Sequence, residues 1–389
     1  MSLLLNDARL ILNPGRGIQP GWLLVEEGLI KEVGTCEKEP PPADEVIGFR
    51  GDYLAPGLID IHCHGAMGRD AMEALPVAFE AILKYHASRG TTTAVLTTVA
   101  ASLSEMISVL GCAEKFRDGP SGALLEGIHL EGPYLSPDRR GAHRAEMLRH
   151  PSRDETALLL EHAGVIRRMT LAPELPGSLD LVREIVGNGI MASAGHSDAT
   201  ESAAMAGFSA GITQVTHLHN AMSSLRKTPP SPRRGLAEAA LETPGILCEL
   251  IADGFHVVPE LLREAWLAKG WKDITLVSDA TAGAGLGEGG CFELGGLPCR
   301  VEGGAAWTEE CDARVLAGST ATLFDGISTM VKKAGAPLDE ATAMATLVPA
   351  KALGLEHSKG SLEIGKIADL IRFTDQWEIR GVWIGGKQK

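Results

Sequence analysis

Pro56-Gly57-Leu58-Ile59-Asp60-Ile61-His62-Cys63-His64-Gly65 is the stretch from which the rest of the chain is read. A Pro-Gly turn opens it, a short apolar run follows, and two histidines one residue apart close it. On a strand, alternate side chains share a face, so the pattern predicts that Asp60, His62 and His64 point the same way. Two imidazoles at a strand end are a common start for a metal site, with an aspartate behind them to orient one ring. Two histidines alone do not make a metal site, so the other ligands must come from elsewhere in the chain.

Working outward, short apolar or β-branched runs alternate with segments of helical period from Pro56 onward. The runs are Leu58–His64, Thr92–Thr97, Leu124–Glu131, Arg168–Ala172, Ile190–Ala194, Thr213–His217, Leu247–Ala252 and Ile274–Asp279. Helix candidates between them include Glu73–Arg89, Leu103–Phe116, Asp154–Ala163, Leu179–Val186 and Pro259–Lys269. This is the pattern of a (β/α)8 barrel of the TIM type, in which the C-terminal strand ends carry chemistry. A Gly-rich stretch from Gly283 to Gly304 reads as a hairpin insertion, and Thr320–Lys333 as the last barrel helix.

The chain ends read differently. Ala8–Leu12, Trp22–Val25 and Leu29–Val33 at one end, with Asp369–Phe373 and Glu378–Ile384 at the other, are strand-like. Neither group makes a core alone, so residues 1–52 and 357–389 are expected to form one small β-sandwich domain, with 53–356 as the barrel.

Bulk composition narrows the function classes. A net charge of −14 argues against nucleic acid or an anionic membrane as partner, since both call for clustered Lys and Arg. Seven cysteines at scattered positions (36, 63, 112, 248, 291, 299, 311) suggest neither a disulfide framework nor a zinc knuckle. No basic, apolar leader and no run of about 18 apolar residues is present, and the expected location is the cytoplasm.

Placed on the barrel, five strand ends deliver imidazoles or carboxylates to one face. Strand one brings His62 and His64, strand three His129 and Glu131, strand five His196, strand six His217 and His219, and strand eight Asp279. Neutral imidazoles with a carboxylate suit Zn2+ or Fe2+ and leave positions open for water. Such an ion makes a water nucleophilic near neutral pH and polarises a carbonyl, and Asp279 is placed to shuttle the proton.

Pro56-Gly-Leu-Ile-Asp-Ile-His-Cys-His resembles the opening motif of the amidohydrolase superfamily. Gly127-Ile-His-Leu-Glu-Gly-Pro-Tyr-Leu, Ala194-Gly-His-Ser-Asp-Ala-Thr, Thr216-His-Leu-His-Asn-Ala-Met, Ile251-Ala-Asp-Gly-Phe-His-Val and Arg314-Val-Leu-Ala-Gly-Ser resemble the N-acetylglucosamine-6-phosphate deacetylase family within it. The closing Lys359-Gly-Ser-Leu-Glu-Ile-Gly-Lys-Ile-Ala-Asp-Leu is similar to the tail shared across the superfamily. The resemblance implies a metal-dependent deacetylase of a small phosphorylated amino sugar, cytoplasmic and homodimeric, in amino-sugar catabolism or cell-wall recycling.

By position, it implies metal ligation by Glu131, His196 and His217, with His62 and His64 serving a second ion, so one or two Zn2+ or Fe2+ per subunit. Asp279 becomes the catalytic acid and base, and His143 polarises the acetamide carbonyl or grips a sugar hydroxyl. Ala142, His143, Asn220, Ala221, Asp253, His256, Leu316 and Ser319 align with substrate contacts, with His256 facing the phosphate. The family supplies a phosphate-binding arginine after strand six, often across a dimer interface. Here that loop runs from Ser223 to Gly235, and Arg233 and Arg234 lie nearest the expected position. His219 stands where the family usually has an aromatic, and is read as an extra ligand or a substrate-side group.

Other readings stay open at this stage. A dihydroorotase- or hydantoinase-like ring opener would carry a lysine at the end of strand four, where Leu171-Ala172-Pro173-Glu174 has none. A nucleobase deaminase would not show His-Leu-Glu-Gly-Pro. A non-catalytic barrel would have eroded ligands, and none is missing. The galactosamine epimer is the nearest alternative substrate.

Overall fold

The computed structural model describes residues 2–116, 122–227, 231–309 and 314–389; Cys311 and residues 228–230 of the basic loop lie outside them. Eight parallel strands form the central sheet, in chain order from Leu58–Cys63 through Thr91–Thr98, Leu124–Glu131, Ile166–Leu171, Met191–Ala194, Gln214–Val215 and Leu247–Ile251 to Ile274–Val277. The last strand returns to the first, where the Asp279 amide donates to the His62 carbonyl at 2.9 Å. The sheet is thus a TIM-like barrel. Every residue of Leu58–Cys63 and Thr91–Thr98 is buried, which is why these strands read as unbroken runs rather than alternating ones.

Helices wrap the strands. Leu103–Phe116 and Pro259–Lys269 fall where their apolar periodicity places them. Helix Glu201–Ala210 was not legible in that way: it is rich in Ala, Gly and Ser and begins where the Thr200 hydroxyl accepts from the Ala203 amide. The last barrel helix starts at a Thr322–Asp325 capping box and runs through Leu323–Thr329 into a wider turn at Met330–Ala334.

Two β units stand outside the barrel. The Gly-rich insertion is a three-stranded antiparallel meander, Cys291–Leu294, Leu297–Glu302 and Ala305–Thr308. The chain termini meet in one eight-stranded sheet that runs from Lys387–Gln388 through Ile379–Ile384, Leu370–Phe373, Tyr53–Pro56, Ser2–Ile11 and Ile18–Glu26 to Leu29–Thr35; Glu45–Gly48 pairs with Ser2–Ile11. Strand Tyr53–Pro56 belongs to this sheet and leads directly into the first barrel strand. Leu5, Leu10, Leu23, Phe49, Leu370 and Trp383 form its own core. The six described cysteines are free thiols, and no helix among the described residues is long and apolar enough to cross a membrane.

Candidate metal centre and active site

The side chains at the strand ends turn inward through strained backbone. His196, His217 and Asp279 have φ of 46°, 33° and 48°, in the left-handed region that costs a non-glycine residue about 1–3 kcal/mol. Such strain persists only where packing over-determines it. Gly195 shows the tightness: a Cβ there would lie 2.7 Å from Thr216 Cβ and 2.8 Å from Thr170 Cγ2.

Glu131 stands between two histidine pairs. Its Oε1 lies 3.2 Å from His196 Nε2 and 3.1 Å from His217 Nε2; its Oε2 lies 3.2 Å from His64 Nε2 and 3.6 Å from His62 Nε2. Within each pair the ring nitrogens face each other, at 3.0 Å for His196 and His217 and 3.2 Å for His62 and His64. All of these groups are buried. The Nδ1 of His196 is 2.9 Å from the Arg139 carbonyl, which can only accept, so Nδ1 carries the proton and Nε2 offers a lone pair. Lone pairs converging with a carboxylate fit a divalent cation, and the chemistry of this donor set is that of Zn2+ or Fe2+.

Asp279 completes the second pair, with Oδ1 3.2 Å from Nε2 of both His62 and His64. Burial would raise its pKa, but the two rings outweigh burial and hold it at about 2. Burial likewise works against charge on His64, yet Asp279 and Glu131 lift that ring to about 9. Two buried carboxylates thus draw positive charge to this spot, a demand that a metal ion meets as well as a proton.

The aspartate expected to orient a ring does something else. Strand pairing shifts register between Asp60 and Cys63, which breaks the two-residue alternation. Asp60 therefore leaves the face of His62 and His64, sits with Cys63 and His86, and accepts from the amides of His62 and Ser278. The carboxylate facing His62 Nδ1, at 3.2 Å, is Glu249, mid-strand on strand seven and overlooked in the sequence. His129 is buried beneath the site, 2.7 Å from Thr170 Oγ1 through Nε2 and 3.3 Å from Thr97 Oγ1 through Nδ1.

His143 adopts a defined tautomer. The Ala100 amide donates to its Nδ1 at 3.1 Å, so its proton is on Nε2, which lies 3.6 Å from Glu131 Oε2. Burial, followed by the charge of His196, lowers its pKa to about 3. Neutral at ordinary pH and protonated on Nε2, His143 presents a hydrogen-bond donor to the cavity in this tautomer; its ring also lies with Glu131 and His196 in a group able to hold an ion.

The cavity over these groups measures about 290 Å³. His64, Glu131, His196, His217 and Asp279 form its floor, and Ala142, His143, Asn220, Ala221, His256 and Leu316 its walls. His62 is fully buried behind the floor. Arg139 and Leu294 also line the cavity, and nothing in the sequence singled them out. Asp253 sits behind His256, accepting from its Nδ1 at 2.7 Å and from the Phe255 and His256 amides. Ser319 packs behind Asp279, its amide donating to the Asp279 carbonyl at 2.8 Å.

The basic loop and His219 stand apart from the cavity. Arg234 is held by Glu201 and Glu242, and Arg226 by Asp198. Arg233 is exposed and forms no ion pair among the described residues. His219 joins neither the histidine cluster nor the cavity wall, and its Nε2 makes no hydrogen bond among the described residues.

Comparison with known proteins decides the family. The sequence profile of the amidohydrolase family matches residues 53–389, and an N-acetylglucosamine-6-phosphate deacetylase of Vibrio furnissii is 34% identical over 86% of this chain and 82% of its own. The chain is an amidohydrolase. Within that family it stands with the N-acetylglucosamine-6-phosphate deacetylases. The crystal structure of N-acetylglucosamine-6-phosphate deacetylase from Pasteurella multocida superposes with a TM-score of 0.92 at 29% identity, covering 100% of both chains. An N-acetylgalactosamine-6-phosphate deacetylase of Escherichia coli O157:H7 is 32% identical over 95% of this chain and 96% of its own. Amidohydrolases of this kind depend on a divalent metal, and the cluster of His62, His64 and Glu131 is one that can hold it.

Proposed function

We propose that this amidohydrolase hydrolyses the acetamide of N-acetyl-D-glucosamine 6-phosphate to D-glucosamine 6-phosphate and acetate. The observation that carries the reading is the convergence of Glu131, Asp279 and a neutral His143 on one cavity, in a chain with these relatives. Glu131, His196 and His217 would hold one divalent ion and His62 with His64 a second. The bound metal would polarise the amide carbonyl and make a water molecule nucleophilic near neutral pH. Zn2+ and Fe2+ both suit the ligands, and amino-sugar catabolism or cell-wall recycling in the cytoplasm is the setting consistent with the substrate.

The chain's own groups do the rest. Asp279 is ionised and takes the proton of the attacking water, then gives it to the departing nitrogen. His143 donates its Nε2 proton in a hydrogen bond to the oxygen on which charge develops. His143→Ala is accordingly expected to lower kcat by about 10²–10³-fold with bound metal unchanged. Steady-state rates beside elemental analysis check this, and metal loss in the variant would mean a ligand role instead.

His256 is one of two cationic groups in this cavity suited to a phosphate, the other being Arg139, which also donates to Asp198. Burial opposes its charge, but the hydrogen bond and charge of Asp253 outweigh burial and raise its pKa above the ordinary histidine value. The protonated ring thus survives to higher pH than a free imidazole. KM for the 6-phosphate should stay level through about pH 6.5 and climb only as His256 loses its proton above it. In Asp253→Asn the climb should begin at lower pH. KM measured against pH in both proteins is the check; identical profiles would remove His256 from phosphate recognition.

Arg233 and Arg234 lie outside the cavity of their own chain, so a phosphate contact from either would be made to a neighbouring copy, in keeping with a homodimer. Arg233, with no ion pair among the described residues, is the better placed. The 6-phosphates of N-acetylglucosamine and N-acetylgalactosamine, and each sugar without phosphate, test the whole reading. Turnover confined to the phosphorylated glucosamine supports it, and preference for the galactosamine epimer would shift it to the second substrate. Indifference to phosphate would leave an amidohydrolase without this specificity.

A further inference from the structure

Mid-strand positions of a barrel are ordinarily filled by branched apolar side chains. Here Arg168 of strand four and Glu249 of strand seven, both fully buried, form an ion pair inside the barrel. A buried pair loses so much hydration that apolar residues of similar size usually serve stability as well or better. Stability alone therefore gives no reason for this one.

The contacts of Glu249 give one. Its Oε1 receives Arg168, whose guanidinium also donates to the Ile61 carbonyl and to Thr216 Oγ1, each at 3.3 Å. Its Oε2 faces His62 Nδ1 at 3.2 Å and accepts the His217 amide at 3.2 Å. By contrast, the Nδ1 atoms of His64 and His217 have no hydrogen-bond partner among the described residues. Histidines that bind metal characteristically donate their second N–H to a carboxylate, which fixes the tautomer and strengthens the ligand.

We infer that Glu249, held in place by Arg168, is a positioning residue that fixes the proton of His62 on Nδ1, aims its Nε2 at the cavity, and so sets the affinity of the second metal position. This rests on His62 and His64 as ligands, as proposed above. The chemistry of Glu249→Gln follows from atom counting. The one remaining oxygen goes to the charged Arg168, and the amide N–H group faces His62 Nδ1. That ring must then carry its proton on Nε2, where it cannot ligate.

The test is zinc binding to the full-length chain, stripped with chelator, titrated with Zn2+ alone and counted by elemental analysis. Wild type should bind two zinc ions per chain. Glu249→Gln should weaken the second ion by about 10–100-fold and the tighter one less, since the His217 amide loses its acceptor as well. Because that variant leaves Arg168 without its partner, the double variant Arg168→Met with Glu249→Leu removes both charges together; it should show the same selective loss. In wild type, nitrogen-15 spectra of the zinc-loaded protein should show His62 protonated at Nδ1. Two zinc ions at wild-type affinity in folded variants, equal weakening of both ions, or His62 unprotonated at Nδ1 would overturn the inference and leave the deacetylase reading intact. A wild type that deacetylates with one zinc would overturn both the inference and the second metal position. A wild type that binds two ions but deacetylates nothing would overturn the substrate, not the role of Glu249.

Discussion

Asp279→Asn should lower kcat by about 10²–10⁴-fold while the protein stays folded and keeps the ion held by Glu131, His196 and His217. The size follows from the loss of a group that both takes and returns a proton. An amide in the same place can do neither. Asparagine is the informative replacement because residue 279 has φ of 48°, a backbone conformation that Asp and Asn tolerate better than other non-glycine residues. Alanine there would add strain and confuse a folding defect with a catalytic one. The hydrogen bonds of the backbone, from the 279 amide to the His62 carbonyl and from the Ser319 amide to the 279 carbonyl, are untouched by the change. Rates with the 6-phosphate of N-acetylglucosamine, elemental analysis and circular dichroism check it together. A loss of less than ten-fold would take the proton shuttle away from Asp279.

Glu131→Gln should be as severe for a different reason. Each carboxylate oxygen serves a different histidine pair, Oε1 with His196 and His217 and Oε2 with His64. No other described carboxylate reaches both pairs at these distances. An amide would replace one oxygen by an N–H donor aimed at ring lone pairs, and would remove the charge that offsets a cation. Both metal positions should empty, and activity should fall about 10³-fold or more, since metal catalysis supplies several kcal/mol. His64→Asn should instead affect only the second position. Elemental analysis separates the two, and full metal content in Glu131→Gln would show that Glu131 is not shared.

The barrel was legible because its strands are buried on both faces. Thr91–Thr98 stands out as an unbroken run, and helices Leu103–Phe116 and Pro259–Lys269 as periodic ones. Once the runs were ordered, the strand-end rule of the barrel brought Glu131, His196, His217 and Asp279 to one face without any coordinates. Helix Glu201–Ala210 escaped because small residues give little contrast between its faces.

What sequence by itself determined was therefore local: which segments are strands, where each ends, and which residue types sit at those ends. Tertiary structure alone decided how these side chains are held. A register shift turned Asp60 away from its neighbours in sequence, and left-handed backbone turned His196, His217 and Asp279 toward one another. The tautomer of His143 depends on an amide 43 residues away, and the carboxylate behind His62 comes from 187 residues away. Periodicity reports the face on which a side chain lies, because burial repeats along the chain. It carries no information about hydrogen-bond partners, which the fold brings together from strands that are neighbours only in space.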